Sequence, residues 1–296
     1  MGATTTGAES ITQPQPGDTN DLLGYPTDAR LLIINADDLG MCHATNAAII
    51  RALTAGIATS TTLMVPCPWA LHAIHWLREH PTIHFGVHLT AICDGPDYRW
   101  GPLSPRDRVP SLVDETGYFY RFERMAEFLA QVRLDELEAE FRAQIETVLA
   151  AGLAPTHLDW HALRIAMKPE LFDVMFRLAR EYGLALRVRE RPLIAQVQRQ
   201  GLPVNDYDFL DSYLLDTANK SARFAQLLRD LPPGLSEWAV HPGLDDGELR
   251  AIEPSGAALR QADLNFLLSA EAREIIEQEG ITLLSYQPLQ EIWQHP

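Results

Sequence analysis

The sequence is poor in several features that declare a function at once. It holds three cysteines, Cys42, Cys67 and Cys93, far apart and with no CxxC pair. That odd, scattered set argues against a disulfide framework and suits a reducing compartment. Cys42 stands near two aspartates, but a small, partly buried residue is the expectation there rather than a reactive thiol. Positive charge is also scarce. The 24 lysines and arginines face 40 aspartates and glutamates, for a net charge of -16 and a pI near 5.0. Nucleic acid and anionic membrane surfaces need a basic footprint, so neither is an expected partner.

Long apolar runs are missing too, and none reaches the roughly 18 residues of a membrane span. The stretch MGATTTGAESITQPQPGDTN has no basic segment followed by an apolar one, so it does not read as a secretory leader, and a cytoplasmic location is expected. Gly2 and Thr6 fit a myristoylation start superficially, but no polybasic second anchor accompanies them. Glycine-rich phosphate loops and GxSxG elbows are absent.

What is present is the composition of a globular chain with a sizeable core: 46% hydrophobic and 22% charged residues in 296. Residues 1–28 read as a flexible tail and residues 29–296 as a single domain without internal repeat. From Arg30 the pattern alternates. LLIINA is the short apolar run of a strand buried on both faces, and ATNAAIIRALTAG is a helix stopped at Gly56. STTLMVP and IHFGVHLTAI read as strands flanking the helix WALHAIHWLREHP. A long periodic helix from Leu134 to Gly152 precedes the strand THLDWHALRI, the helix PELFDVMFRLAREYG and the strand LALRVRE. SARFAQLLRDL is helical, LSEWAVHPG is a strand, and LNFLLSAEAREIIEQEG is one last long helix before ITLLSYQPL. Two irregular stretches, about 93–121 and 191–213, are where specificity is expected to be set. This alternation predicts an α/β fold of one domain, an irregular or incomplete TIM-like (β/α) barrel with its chemistry at the carboxyl ends of the strands.

Those ends repeat the same residue types: Asp37 and Asp38, then His88, then His157, Asp159 and His161, then Arg187 and His241. Adjacent carboxylates raise the cost of ionising one another; a surface turn tolerates the pair, and a cation calls for it. Strand alternation puts His157, Asp159 and His161 on one face and Leu158 and Trp160 on the other. Two imidazoles and an acid aimed one way are costly to bury without a partner, unless the strand is an exposed edge. Taken singly, His88, Arg187 and His241 are each compatible with hydrogen-bonded core. His43, His72, His75, His80 and His84 are assigned no role, and the hydroxyls of Ser60, Thr61 and Thr62 either line a pocket or reflect β-propensity. Carboxylates and imidazoles gathered on one edge are what a divalent ion needs, so metal chemistry is the best-supported class.

Four blocks then carry a resemblance. NADDLG (35–40), GVHLT (86–90), PTHLDWH (155–161) and HPG (241–243) resemble, in order and spacing, the YdjC-like family of ChbG/HpnK-type carbohydrate deacetylases, over about residues 30–290. The resemblance implies a metal-dependent hydrolase that removes acetyl groups from N-acetylated sugars. It implies Asp38, His88 and His161 as metal ligands, Asp37 as catalytic base, His241 as catalytic acid and Arg187 near the base or substrate. Arg260 and Asp263 loosely match a late family element without an assigned role. His157 and Asp159 would stand behind the ligands and orient them.

Two imidazoles and a carboxylate suit one divalent ion, Zn, Mn, Fe or Co by ligand softness, while Mg has been used for the family. One departure stands out. Where many members continue with further histidines, this chain has Ala162, Leu163 and Arg164, and Trp160 replaces a small residue. Chitooligosaccharide specificity is therefore not transferred. The alternatives are a metal hydrolase acting on an ester or phosphoester and a non-catalytic sugar-binding protein. Arg187 as the one anion partner among the named residues weighs against a phosphoester, and Asp37, which a pure binding site does not need, weighs against the binder. A small-molecule carbohydrate is the expected partner, and the acidic charge is compatible with a monomer or a homodimer.

Overall fold

The computed structural model describes residues 18–295. Of the segment read as a tail, residues 1–17 lie outside the described residues, and a short helix, Asp18–Leu22, opens the rest. Thr19 and Asn20 of this helix are buried, and Thr19 Oγ1 donates to the Val204 carbonyl at 2.6 Å.

Among the described residues the strands are β1 (Arg30–Leu39), β2 (Ser60–Leu63), β3 (Phe85–Leu89), β4 (Ile92–Cys93), β5 (Tyr120–Arg121), β6 (His157–Trp160), β7 (Ala185–Leu186), β8 (Leu210–Asp211), β9 (Gly234–Val240) and β10 (Thr282–Leu284). Eight of them form one parallel sheet in the order β7-β6-β3-β2-β1-β9-β8, with β10 alongside β1. The end strands β7 and β8 do not pair with each other. The sheet therefore curls without closing, and the single-domain α/β fold is an incomplete TIM-like barrel, as the alternation predicts. β4 and β5 make a separate small ladder within the irregular stretch after β3.

β1 is the centre of this sheet. It pairs with β9 along Arg30–Ala36 on one edge, while β10 takes Leu31–Ile33 and β2 takes the chain from Asn35 on the other. Both faces are covered, so every residue from Leu31 to Leu39 is buried and LLIINA needs no polar alternation. Outside the sheet, the helix Leu134–Ala150 turns Leu137, Phe141, Ile145 and Val148 inward, the i, i+4 spacing of an amphipathic face.

Several readings change, among them the strand LALRVRE, which is only Ala185–Leu186. The last long helix is two, Ala257–Leu267 and Ala270–Gln278, because the Ser269 side chain accepts the Ala272 N–H and starts a new helix inside a periodic run. The strand read as THLDWHALRI spans only His157–Trp160, after which Ala162 adopts φ 55° and the backbone leaves the sheet. The stretch after Arg191 is not wholly irregular, since Arg191–Gln198 is helical. Among the described residues, no helix is long and apolar enough to cross a membrane.

Candidate metal centre

The site begins with a fault in β1. The register to β2 runs Ala36↔Thr61 and then Leu39↔Leu63, so Asp37 and Asp38 together oppose Thr62. This is a bulge, with Asp38 in the left-handed region at φ 73°. In a regular strand the two side chains would point to opposite faces. The bulge brings both to the wall of one pocket at the carboxyl ends of the strands.

Each aspartate meets a different arginine there. Arg187 Nη1 and Nη2 donate to Asp37 Oδ2 and Oδ1 at 2.7 and 2.8 Å, the bidentate geometry that suits a carboxylate. Arg187 also pairs with Asp159 at 2.8 Å and, through Nε, with Glu237 at 2.6 Å. Tyr286 donates to the other Glu237 oxygen at 2.5 Å. Asp38 Oδ2 is held by Arg260 Nη2 at 2.8 Å, and Arg260 Nε reaches Glu253 at the same distance. Three carboxylates thus converge on Arg187 and two on Arg260.

The other oxygen, Asp38 Oδ1, is buried without a hydrogen-bond donor. It lies 3.4 Å from His88 Nε2 and 3.3 Å from His161 Nδ1. The three ligand atoms fall within 4.8 Å of one another. An orphaned carboxylate oxygen and two ring nitrogens facing one point form the donor set a divalent cation requires, so the residues fit such an ion. Their orientation is fixed from behind. Asp159 Oδ1 lies 2.7 Å from His88 Nδ1, Thr62 Oγ1 donates to Asp159 Oδ2 at 3.0 Å, and Asp94 lies 2.8 Å from His161 Nε2. A second trio, Asp37, His88 and Asp159, is also close together, but Arg187 already occupies both of its carboxylates.

Electrostatics follow from this packing. Burial opposes ionisation of Asp37, but Arg187 outweighs it and holds the carboxyl at about 2. Burial likewise opposes ionisation of Asp38, yet Arg260 and the two imidazoles keep it well below the carboxylate range. Against burial, Asp159 and Asp38 raise His88 to about 9, and Asp94 and Asp38 raise His161 to about 10.

His157 lies deeper. Its ring stacks on Tyr286 at 3.7 Å, its Nε2 has no partner, and burial followed by the nearby Arg187 pushes its pKa well down. It stands behind Arg187 and Tyr286, outside the pocket lining, and meets neither proposed ligand imidazole by a hydrogen bond. His241 stands across from Asp37, with its Nε2 3.9 Å from Asp37 Oδ2. Asp263 supports it from below, accepting the His241 backbone N–H at 2.9 Å.

The pocket has a volume of about 540 Å³, and Trp160, Phe209 and Tyr213 are among its walls. Trp160, which alternation places away from His161, lines the same pocket at the strand's end, edge-on to Phe209. Arg164, Arg189 and Arg260 join Arg187 in the lining, so Arg187 is not the lone cation there. Sequence reasoning missed Glu237, Tyr286, Asp94 and Ser212. Only Glu237 carried a signal: it is the one charged residue of its strand and sits in phase with His241. Cys42, Cys67 and Cys93 are all buried, and burial pushes each thiol's pKa up, which makes none of them a ready nucleophile.

Fold and site define a class: an open (β/α) barrel whose strand ends gather an Asp-His-His set beside an arginine-clamped aspartate. Within that class, the chain belongs to the YdjC-like family, whose model matches residues 31–278. It is 34% identical over 264 residues to a carbohydrate deacetylase of Enterococcus faecalis, covering 87% of this chain and 97% of that one. It is 30% identical over 265 residues to a chitooligosaccharide deacetylase of Yersinia enterocolitica, covering 87% and 98%. A crystal structure of an Enterococcus faecalis protein, described as a cellobiose-phosphate cleavage protein, matches with a TM-score of 0.77 at 33% identity, over 88% of this chain and 99% of that one.

Proposed function

We propose that this protein is a metal-dependent hydrolase that removes the acetyl group from an N-acetylated sugar. The observation that carries the reading is the donor-less Asp38 Oδ1 set between His88 Nε2 and His161 Nδ1 in an open pocket. Family membership and the names of the relatives support the carbohydrate and the acetyl group.

Asp38, His88 and His161 would hold the ion, with Zn, Mn, Fe, Co and Mg as the candidates. When bound, it supplies Lewis acidity toward the amide carbonyl. The chain's own residues do the rest. Arg187 keeps Asp37 ionised and fixed in place, so that it orients the attacking water and accepts its proton. The water oxygen bonds to the carbonyl carbon and the C–N bond breaks. His241, facing Asp37 across the pocket, gives a proton to the departing amine nitrogen, leaving acetate and the free amino sugar. Asp159 and Asp94 hold the two imidazoles in register, and Trp160, Phe209 and Tyr213 offer apolar walls to sugar rings.

The test is an acetate-release screen over N-acetylated mono- and oligosaccharides, with the protein loaded in turn with each candidate ion. The expected result is ion-dependent release. A protein that retains an ion and releases no acetate from any of these amides contradicts the reading.

A further inference from the structure

Behind His241 lies a buried chain of polar groups that the proposed reaction leaves unused. Ser212 follows β8, Asp263 sits on the helix Ala257–Leu267, and Lys220 opens the helix Lys220–Arg229. All three are buried. Ser212 Oγ lies 2.9 Å from His241 Nδ1 and donates to Asp263 Oδ2 at 2.5 Å. Asp263 Oδ1 pairs with Lys220 Nζ at 2.5 Å.

The far end of this chain sets the direction of the Ser212–His241 contact. Asp263 receives an ammonium, a hydroxyl and the His241 backbone N–H, so it is an acceptor throughout. A serine hydroxyl has a single hydrogen, and Ser212 gives it to Asp263. What Ser212 turns to the imidazole is therefore a lone pair, and His241 Nδ1 must carry a proton to meet it. The opposite nitrogen, Nε2, is the one 3.9 Å from Asp37, and both residues line the pocket. The Tyr213 ring stands edge-on to the imidazole at 4.6 Å and limits its tilt.

We propose that Ser212 is a positioning residue that, backed by Asp263 and Lys220, keeps a proton on His241 Nδ1 in the neutral and the protonated ring alike, so that the proton given to the leaving amine is the one the protonated ring carries on Nε2. The use of Nε2 rests on the deacetylase reading; the tautomer does not. A hydroxyl bridging histidine and carboxylate acts differently from a carboxylate in direct contact, because it fixes the ring nitrogen without placing a full charge against it.

The test is ¹⁵N-histidine NMR on the full-length, metal-free protein at a pH where the ring is neutral, with His241→Gln to assign the signals. Wild type is expected to show the Nδ1–H form. Ser212→Ala is expected to move His241 toward the Nε2–H form, and Ser212→Thr, which keeps the hydroxyl, is expected to preserve Nδ1–H. In turnover, Ser212→Ala is expected to lower kcat about tenfold, a share of the general-acid contribution, with KM within about twofold and recovery in Ser212→Thr. A wild-type His241 in the Nε2–H form overturns the proposal, and so does a Ser212→Ala variant with unchanged tautomer and kcat. The wild-type spectrum decides the tautomer even where a variant fails to fold. Absence of acetate release from wild type defeats the deacetylase reading alone, since the tautomer is read without substrate.

Discussion

Asp37 and Asp38 are neighbours in the chain, yet each is gripped by a different arginine, and only one is left with a free oxygen. Arg187 takes both oxygens of Asp37, while Arg260 takes Oδ2 of Asp38 and leaves Oδ1 to face His88 and His161. The β1 bulge makes this possible by turning both side chains into one pocket. Two carboxylates of identical chemistry thereby acquire different work from their surroundings.

The division has a direct consequence for Asp37→Asn. The amide keeps the shape and leaves Asp38, His88 and His161 untouched, so ion content is expected to hold. Turnover is expected to fall by about 10² or more, the usual share of a general base. Acetate release and ion content measured on the same sample check both halves. Near-native turnover would remove Asp37 from the mechanism.

Arg187 is expected to matter for stability as much as for orientation. Arg187→Met leaves Asp37, Asp159 and Glu237 buried without their shared cation. Breaking a buried ion pair from one side costs about 3–5 kcal/mol. Urea unfolding of wild type and variant gives the difference, and a loss under about 1 kcal/mol contradicts the account of the charge cluster.

Gly86→Ala tests why the GVHLT block begins with glycine. A Cβ at that position would sit 2.5 Å from the His157 carbonyl oxygen and 2.7 Å from its ring, both in a packed strand interior. Overpacking of this kind costs about 1–3 kcal/mol, expected as a lowered thermal midpoint. An unchanged midpoint would mean that β3 and β6 are not in the close contact described.

The site imidazoles set a pH dependence. His88 and His161 stand near 9 and 10 when folded, above the ordinary 6.5. Stability from these protonated rings is fully present below about 6.5 and is lost as pH rises through 9 to 10, so the metal-free protein's thermal midpoint is expected to fall over that window. A cation needs the rings neutral, so ion binding near pH 7 is expected to release about two protons and to tighten as pH rises. Calorimetric titration in buffers of different ionisation enthalpy measures the proton count. No proton release contradicts the assignment of the two histidines as ligands.

Much of this was legible before any coordinates. LLIINA is buried from end to end, as its unbroken apolar run predicts, and Asp159 and His161 of THLDWH both meet the site, Asp159 through His88 and His161 beside Asp38. Chain-distant partners were not legible. Tyr286 meets Glu237 across 49 residues, and Ser212 meets Asp263 across 51. No local pattern marks either. The bulge was hidden too, because a non-glycine residue at φ 73° has no sequence signature when it is an aspartate in an apolar strand. Ser269 misled in the other direction: its helix-capping role lies inside a run whose apolar spacing stays periodic.

The central claim is that Asp38, His88 and His161 hold a divalent ion, and elemental analysis of the purified protein beside His161→Ala tests it most directly. The account predicts about one divalent ion per chain in the native protein and its loss in a variant that still folds. A native protein that takes up none of the candidate ions under reducing, chelator-free conditions would contradict it.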